Sequence, residues 1–129
     1  MGNRGATVTS HEWKYGKLIV NPKITKAFSW VIDVYGITLY PFIICKEEPG
    51  QRTLNHERIH IFQQKELLVV FFYLLYVFFW IINLVKYRKE ANPGAVAYRN
   101  IPFEREAYQN DTDYNYLLSR KRYSWRHYL

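Results

Sequence analysis

The chain has 129 residues, room for one domain. Aromatic residues make up 19%, with twelve Tyr and eight Phe against six Gly and five Pro, which excludes disordered, collagen-like and low-complexity classes. A formal net charge of +7 suits an anionic neighbour, lipid or nucleic acid, and the single cysteine, Cys45, excludes a disulfide framework, a Cys-rich zinc finger and a CxxC redox site.

Met1 to Ser10 is polar and has no apolar core, so no secretory signal is expected; Ala6 stands where a myristoylation signal needs Ser or Thr. After a loose start, Lys17 to Val20 is a short strand candidate. Asn21 and Pro22 then open a predicted helix as N-cap and first position, with Ile24, Ala27, Phe28, Val31, Ile32 and Tyr35 on one face. Gly36 ends it. Ile37 to Cys45 is β-branched and aromatic with Pro41 inside, and proline is tolerated only at a free edge, so an edge strand is predicted. Glu47-Glu48-Pro49-Gly50 supplies the closing turn.

Between Gly50 and Pro93 there is neither glycine nor proline. One unbroken helix is expected there, capped by Thr53 or Asn55 and running from His56 through Lys65 and Glu66 into Leu67–Val85. That last stretch has Asn83 as its only strongly polar residue and is followed by Lys86, Arg88 and Lys89, the pattern of a membrane segment. The alternative is a helix buried in a soluble core, but a domain this small has little core in which to hide Phe71, Phe72, Phe78, Phe79 and Trp80 on all sides. Ala95 to Asn100 is left unassigned. Phe103 to Tyr108 is predicted helical with Pro102 at its first turn, and a second short helix is expected over Asp111 to Arg120. Arg120 to His127 interleaves basic and aromatic residues, a pattern that suits single-stranded nucleic acid or an anionic membrane surface; the adjoining apolar segment favours the membrane, and no nucleic-acid partner is expected.

His56-Glu57-Arg58-Ile59-His60 carries the chemistry. At about 100° per residue the two imidazoles lie about 40° apart on one helix face, close enough to share one Zn²⁺. Glu57 projects from an adjacent direction and can act as general base towards a water on that ion. A catalytic zinc needs a third protein ligand. Gln63 and Glu66 stand where the HExxHxxGxxH continuation would have Gly and His, so an acidic residue further along is required, with Glu104 and Glu106 as candidates. Tyr108, Tyr98, Arg99 and His127 are candidates for stabilising an oxyanion, and Gln63 continues the face of His56 and His60.

An HExxH followed downstream by a helical Glu resembles the gluzincins, the thermolysin-like branch of zinc metallopeptidases, and more nearly their membrane-embedded prenyl-protein-processing and HtpX-like members. Those proteins place the third ligand in a Glu-x-x-Ala-Asp segment. Glu104-Arg105-Glu106-Ala107-Tyr108 matches its Glu and Ala, which selects Glu104 as ligand over Glu106, and Tyr108 replaces the Asp that would orient a ligating histidine. The stretch from His56 to Gln64 is also similar to a group of small bacterial HExxHxxQQ zincins. The resemblance implies an α+β, minimal zincin-like fold: a small antiparallel strand pair and a long HExxH helix running into a membrane-associated segment at 67–85. It implies a zinc metallopeptidase with His56, His60 and Glu104 as ligands and Glu57 and Tyr108 as catalytic residues. Ile37–Cys45 would then flank the cleft and bind a peptide or protein substrate as an added strand.

One straight helix across a bilayer would leave Glu104 on the wrong side. From His60 to Glu90 a helix rises about 45 Å, and the extended return to Glu104 covers roughly 46 Å. The lengths match, yet bare extended chain is forbidden in lipid. The return must be shielded by protein (a second copy included), or the helix must lie in the interface, or the third ligand must be a spare such as His127 or His11. A monotopic or shielded arrangement is favoured, with homo-oligomers allowed; the distribution of Lys and Arg leans weakly towards a cytosolic C-terminal side. The leading expectation is a membrane-associated zinc metallopeptidase, and the alternative is a catalytically inactive membrane-anchored adaptor with a structural or degenerate HExxH.

Overall fold

The computed structural model describes residues 15–20 and 36–129; the expected helix opening at Asn21-Pro22, and His11, lie outside them. Three short strands, β1 (Lys17–Val20), β2 (Gly36–Leu39) and β3 (Phe42–Cys45), form a mixed sheet in the order β1-β3-β2. β1 runs parallel to β3, pairing Lys17 with Phe42 and Val20 with Cys45, and β2 runs antiparallel to β3, pairing Gly36 with Cys45 and Leu39 with Phe42. The expected antiparallel pair is therefore one half of a three-stranded sheet, and the expected edge strand over 37–45 is two strands. Pro41 explains the split: lacking an N–H it cannot serve a ladder, so it sits in the turn between β2 and β3, where its carbonyl accepts from the Lys17 N–H at 2.7 Å. Of the two, β2 keeps a free edge and β3 is central.

Helix α1 (Gln51–Glu66) begins directly after Pro49-Gly50, with Gly50 extended as N-cap. Thr53 and Asn55, expected as caps, lie inside the helix, because nothing between Gly50 and Thr53 resists helical geometry. α1 is packed on several sides. Ile61 meets Ile43 and Cys45 of β3, while Ile59 joins Tyr15, Ala107 and Leu117. The close approach of the β1 end to α1 requires glycine at 16: its φ is +95°, and a Cβ there would lie 2.8 Å from Cγ1 of Ile61.

The expected single helix over the apolar run is broken. α1 ends at Glu66, helix α2 (Val70–Lys86) starts four residues later, and the two are bent by 112°. Leu68 and Val69 hold φ of 55° and 62°, Val69 with a ψ of −56°, and such positive-φ backbone costs a residue other than glycine roughly 1–3 kcal/mol. Burial offsets it. The bend lays α2 back over the helices that follow, where Phe72 packs with Ile101, Phe103 and Trp125; a buried Phe contributes about 1.5–3 kcal/mol. Among the described residues no single helix is long and apolar enough to cross a membrane.

Helix α3 (Pro93–Arg99) occupies the unassigned stretch, with the Asn92 side chain accepting from the Ala95 N–H and the Asn83 amide of α2 reaching the Ala97 carbonyl at 3.0 Å. Helix α4 (Pro102–Asn110) has Pro102 in its first turn as expected. The helix expected over 111–120 shrinks to one turn, α5 (Tyr116–Ser119), because Asp111 ends α4 and its groups are drawn back to α1. A 3₁₀ turn (Ser124–Tyr128) closes the described chain, and the architecture is α+β, five helices on a small mixed sheet among the described residues.

Candidate metal centre

Two elements build the site. α1 presents His56 and His60 one turn apart, and α4 brings Glu104 against both: His56 Nε2 lies 3.1 Å from Oε1 of Glu104, and His60 Nε2 lies 3.2 Å from Oε2. All three residues are buried, and one ligand atom from each falls within 4.8 Å of the others, a group that can hold a metal ion. The bend at 68–69 removes the conflict over Glu104, since α2 folds over the site and α3 and α4 return the chain to α1.

The outer contacts settle which atoms face inward. His56 Nδ1 lies 3.0 Å from Oδ2 of Asp111, an acceptor-only carboxylate, so Nδ1 carries the proton. The Gln63 amide nitrogen donates to the Phe103 carbonyl at 3.0 Å and to Glu106 at 2.9 Å, which turns its oxygen towards His60 Nδ1 at 2.7 Å. That Nδ1 is a donor too. Both Nε2 lone pairs therefore point at the two oxygens of Glu104. Acceptors facing acceptors in a buried space need a cation between them, whether protons on the imidazoles or a metal ion.

Without a metal the proton takes that place. Burial alone would push the pKa of His60 down, but the Glu104 carboxylate and its hydrogen bond outweigh burial and raise it to about 9. Burial likewise opposes ionisation of Glu104, yet the charges and hydrogen bonds of His60 and His56 hold it well below the usual carboxylate range.

Glu57 is half-buried, and one of its oxygens accepts the Thr38 hydroxyl from β2. Tyr108 packs edge-on against His56 with ring centroids 4.5 Å apart, the Arg99 guanidinium lies 4.0 Å over its ring, and it hydrogen-bonds Tyr98. Burial first, then the charge of Glu104 and the contact with Tyr108, push the Tyr98 phenol well above its ordinary value, so it stays a proton donor. His127 lies exposed on the terminal 3₁₀ turn.

Glu106 stands outside the group of His56, His60 and Glu104. It is buried beneath the site, where it accepts from Gln63, Tyr116 and Arg120, and Arg120 also pairs with Glu66 at 2.6 Å. One carboxylate thus neutralises a buried guanidinium while fixing the amide that orients His60. Strand addition at β2 is corrected in part: the Gln64 side chain donates to the Thr38 carbonyl at 2.9 Å and accepts from the Tyr40 N–H at 2.7 Å, capping that stretch of the edge.

Sequence reasoning missed four contributors. Asp111 does what was sought at Tyr108, and the signal was spacing: 104, 108 and 111 are offsets of 0, 4 and 7 on one helix face. Tyr76 donates to Oε2 of Glu104 at 2.7 Å; a tyrosine in an apolar run needs such a partner. Thr38 gave no local signal, and Gln64 stood out only as the last residue of the HExxHxxQQ likeness, because their partners depend on how β2 meets α1. Compared with family models, curated proteins and solved structures, the chain matches none, so the functional reading rests on the geometry above.

Proposed function

We propose that the chain is a membrane-associated zinc-dependent peptide hydrolase, with His56, His60 and Glu104 as ligands and Glu57 as general base. The observation that carries the reading is the pair of Nδ1-protonated imidazoles aimed at one buried carboxylate. Two imidazoles and a carboxylate make a donor set that catalytic zinc uses, with a fourth position left for water or substrate. Neighbouring ligands of a tetrahedral zinc would sit roughly 3.4 Å apart, as bonds of about 2.1 Å require; the nitrogen–oxygen contacts of 3.1 and 3.2 Å run to different oxygens of Glu104, and one ligand atom from each residue falls within 4.8 Å of the others, so the group would tighten around a shared ion. Held by His56, His60 and Glu104, a zinc ion would supply Lewis-acid polarisation of a carbonyl and a water acidic enough to lose its proton near neutral pH.

The chain's own groups supply the rest. Asp111 and Gln63 hold the imidazoles in the ligating tautomer, and Tyr76 fixes one oxygen of Glu104. Glu57, next to His56 and steadied by Thr38, takes the proton of the attacking water and returns it to the leaving amine. Tyr108, with Tyr98 and the Arg99 cation beside it, lies on the His56 side of the site and donates towards the developing oxyanion.

The test is zinc content and peptide hydrolysis of detergent-purified protein beside its variants. About one zinc per chain is expected, lost in His56→Ala; Glu57→Gln should keep the metal and lose turnover. Full zinc retention by His56→Ala would sink the metal site. Zinc-loaded protein that cleaves no peptide, or cleaves equally with Glu57→Gln, would instead favour the inactive adaptor.

A further inference from the structure

α2 has two apolar faces and only one of them is covered. Phe72, Tyr73, Leu75, Tyr76 and Phe79 pack inward over the site. On the opposite side Val70, Phe71, Leu74, Val77, Phe78, Ile81, Ile82 and Val85 are 46 to 63% exposed, and no polar residue interrupts their face. Helical spacing gathers them into one stripe. Leu68 extends it at the bend, and the Tyr40 and Thr38 backbone contacts to Gln64 and Tyr73 bring the β2–β3 hairpin, with exposed Leu39 and Phe42, to that end of the helix. Soluble monomers seldom expose a patch beyond a few hundred Å².

We infer that this surface docks in the plane of an anionic lipid leaflet, α2 lying along the interface and the metal centre held about one helix diameter above it, so that peptide segments at the bilayer surface are the substrate class. The inference rests on the membrane-associated reading proposed above. Two observations select this occupant. The stripe from Val70 to Val85 is about 22 Å long at 1.5 Å per residue, short of the roughly 30 Å of a hydrocarbon core, and the 112° bend stops α1 from extending it. The far end of α2 is also cationic. Lys86, Arg88 and Lys89 close it beside a single acid, Glu90, whereas at the near end Lys65 is followed by Glu66, whose partner Arg120 is shared with Glu106. A second copy laid parallel on the stripe brings cation against cation there, whereas anionic headgroups complement that end. Depth follows from packing: Phe72 on the inner face touches His60, with ring centroids 6.2 Å apart, and Tyr76 holds Glu104.

The experiment adds the full-length, zinc-loaded protein to preformed phosphatidylcholine vesicles with and without phosphatidylglycerol and measures flotation. Binding is expected with the anionic lipid, weakened roughly 100-fold in the double variant Phe78→Glu/Ile81→Glu and roughly fivefold for each of Lys86, Arg88 and Lys89 changed to Gln. Single cysteines at Glu47 and Glu90, exposed positions on either side of α2, then report topology with an impermeant maleimide. Native Cys45 adds little background, being buried, with burial and the nearby charges of Glu57 and Glu48 raising its thiol to about 11. Both sites should label fully before the vesicles are lysed. Labelling of one site only after lysis means a spanning helix and overturns the inference, as does failure to float. A stable dimer in lipid-free buffer that Ile81→Glu dissociates, without vesicle binding, assigns the face to a second copy and overturns it too. Zinc content and cleavage of the double variant in detergent should stay at wild-type level. Failure of the wild type to dock, with its zinc chemistry intact, therefore refutes the membrane inference and leaves the hydrolase standing, and absence of zinc from a wild type that docks refutes the hydrolase alone.

Discussion

Helices α1 and α2 follow one another in the chain and reverse the usual relation between polarity and burial. α1 buries Asn55, His56, Arg58, His60, Gln63 and Gln64, whereas α2, made almost wholly of apolar residues, fully buries only Phe72. A buried polar helix is stable only if its groups find partners, and α1 is tied by hydrogen bonds to Asp111, Asp113, Phe103, Glu106 and β2. An exposed apolar helix is stable if its inner face is well packed, and its outer face then says what medium it meets. The pair teaches that burial follows satisfaction of groups, not hydropathy, and that the reversal leaves a group able to hold a metal ion on one helix and an exposed apolar face on the other.

The largest effect expected from breaking this contrast is chemical. Glu57→Gln should lower turnover by about 100-fold or more while zinc content and melting temperature stay unchanged, because a general base contributes about that much. Next comes the ion cluster under α1. Arg120→Met removes the cation from between Glu66 and Glu106 and leaves a buried carboxylate without it, at a cost of about 3–5 kcal/mol in chemical denaturation; a loss below about 1 kcal/mol would show that water already reaches the cluster.

The two faces of α2 give the sharpest comparison within one helix. Phe72→Ala should cost about 3–5 kcal/mol, whereas Phe78→Ala should lie within about 0.5 kcal/mol of wild type in detergent. Equal costs would mean that the outer face is covered by protein. Asp111→Asn comes next: it keeps the shape of the partner but not its charge, and zinc affinity measured against a chelator should fall about 10–100-fold with little change in fold.

The smallest effect is a pH dependence confined to metal-free protein. His60 is raised from 6.5 to about 9, so its contribution to stability is complete below about pH 6.5 and lost as pH climbs through 9. Glu104 is depressed, so its contribution is present above its ordinary range near 4.5 and lost as pH falls below it. Melting temperatures of the chelator-treated protein should therefore decline from neutral to alkaline pH, and zinc should abolish that decline by replacing the proton. The same alkaline decline in the zinc-loaded protein would show that the ion binds elsewhere.

Much of the candidate metal centre is legible in the sequence because its elements are local. HExxH spacing needs only helical geometry, and Pro102 marks the start of the helix that carries Glu104. The choice of Glu104 over Glu106 came from resemblance, and the packing agrees because Glu106 serves Arg120 and Gln63 instead. The single helix expected from a Thr53 or Asn55 cap to Val85 is broken, and no breaker residue marks Leu68 and Val69. Their positive-φ backbone accompanies the packing of Phe72 on Phe103 and of Phe103 on Trp125, residues far apart in sequence. The strand over 37–45 divided for a local reason, Pro41, read as a sign of an edge when it marked a turn.

The sequence by itself determined where two imidazoles would stand together and where a long apolar surface would arise, because both follow from the repeat of one helix. Only the tertiary structure decided that the chain doubles back at 68–69, that Asp111 and Gln63 orient the imidazoles, and that one face of α2 is sealed while the other is open. Those outcomes depend on the burial of groups many residues apart, and the free energy that selects them exists only once the layers have met.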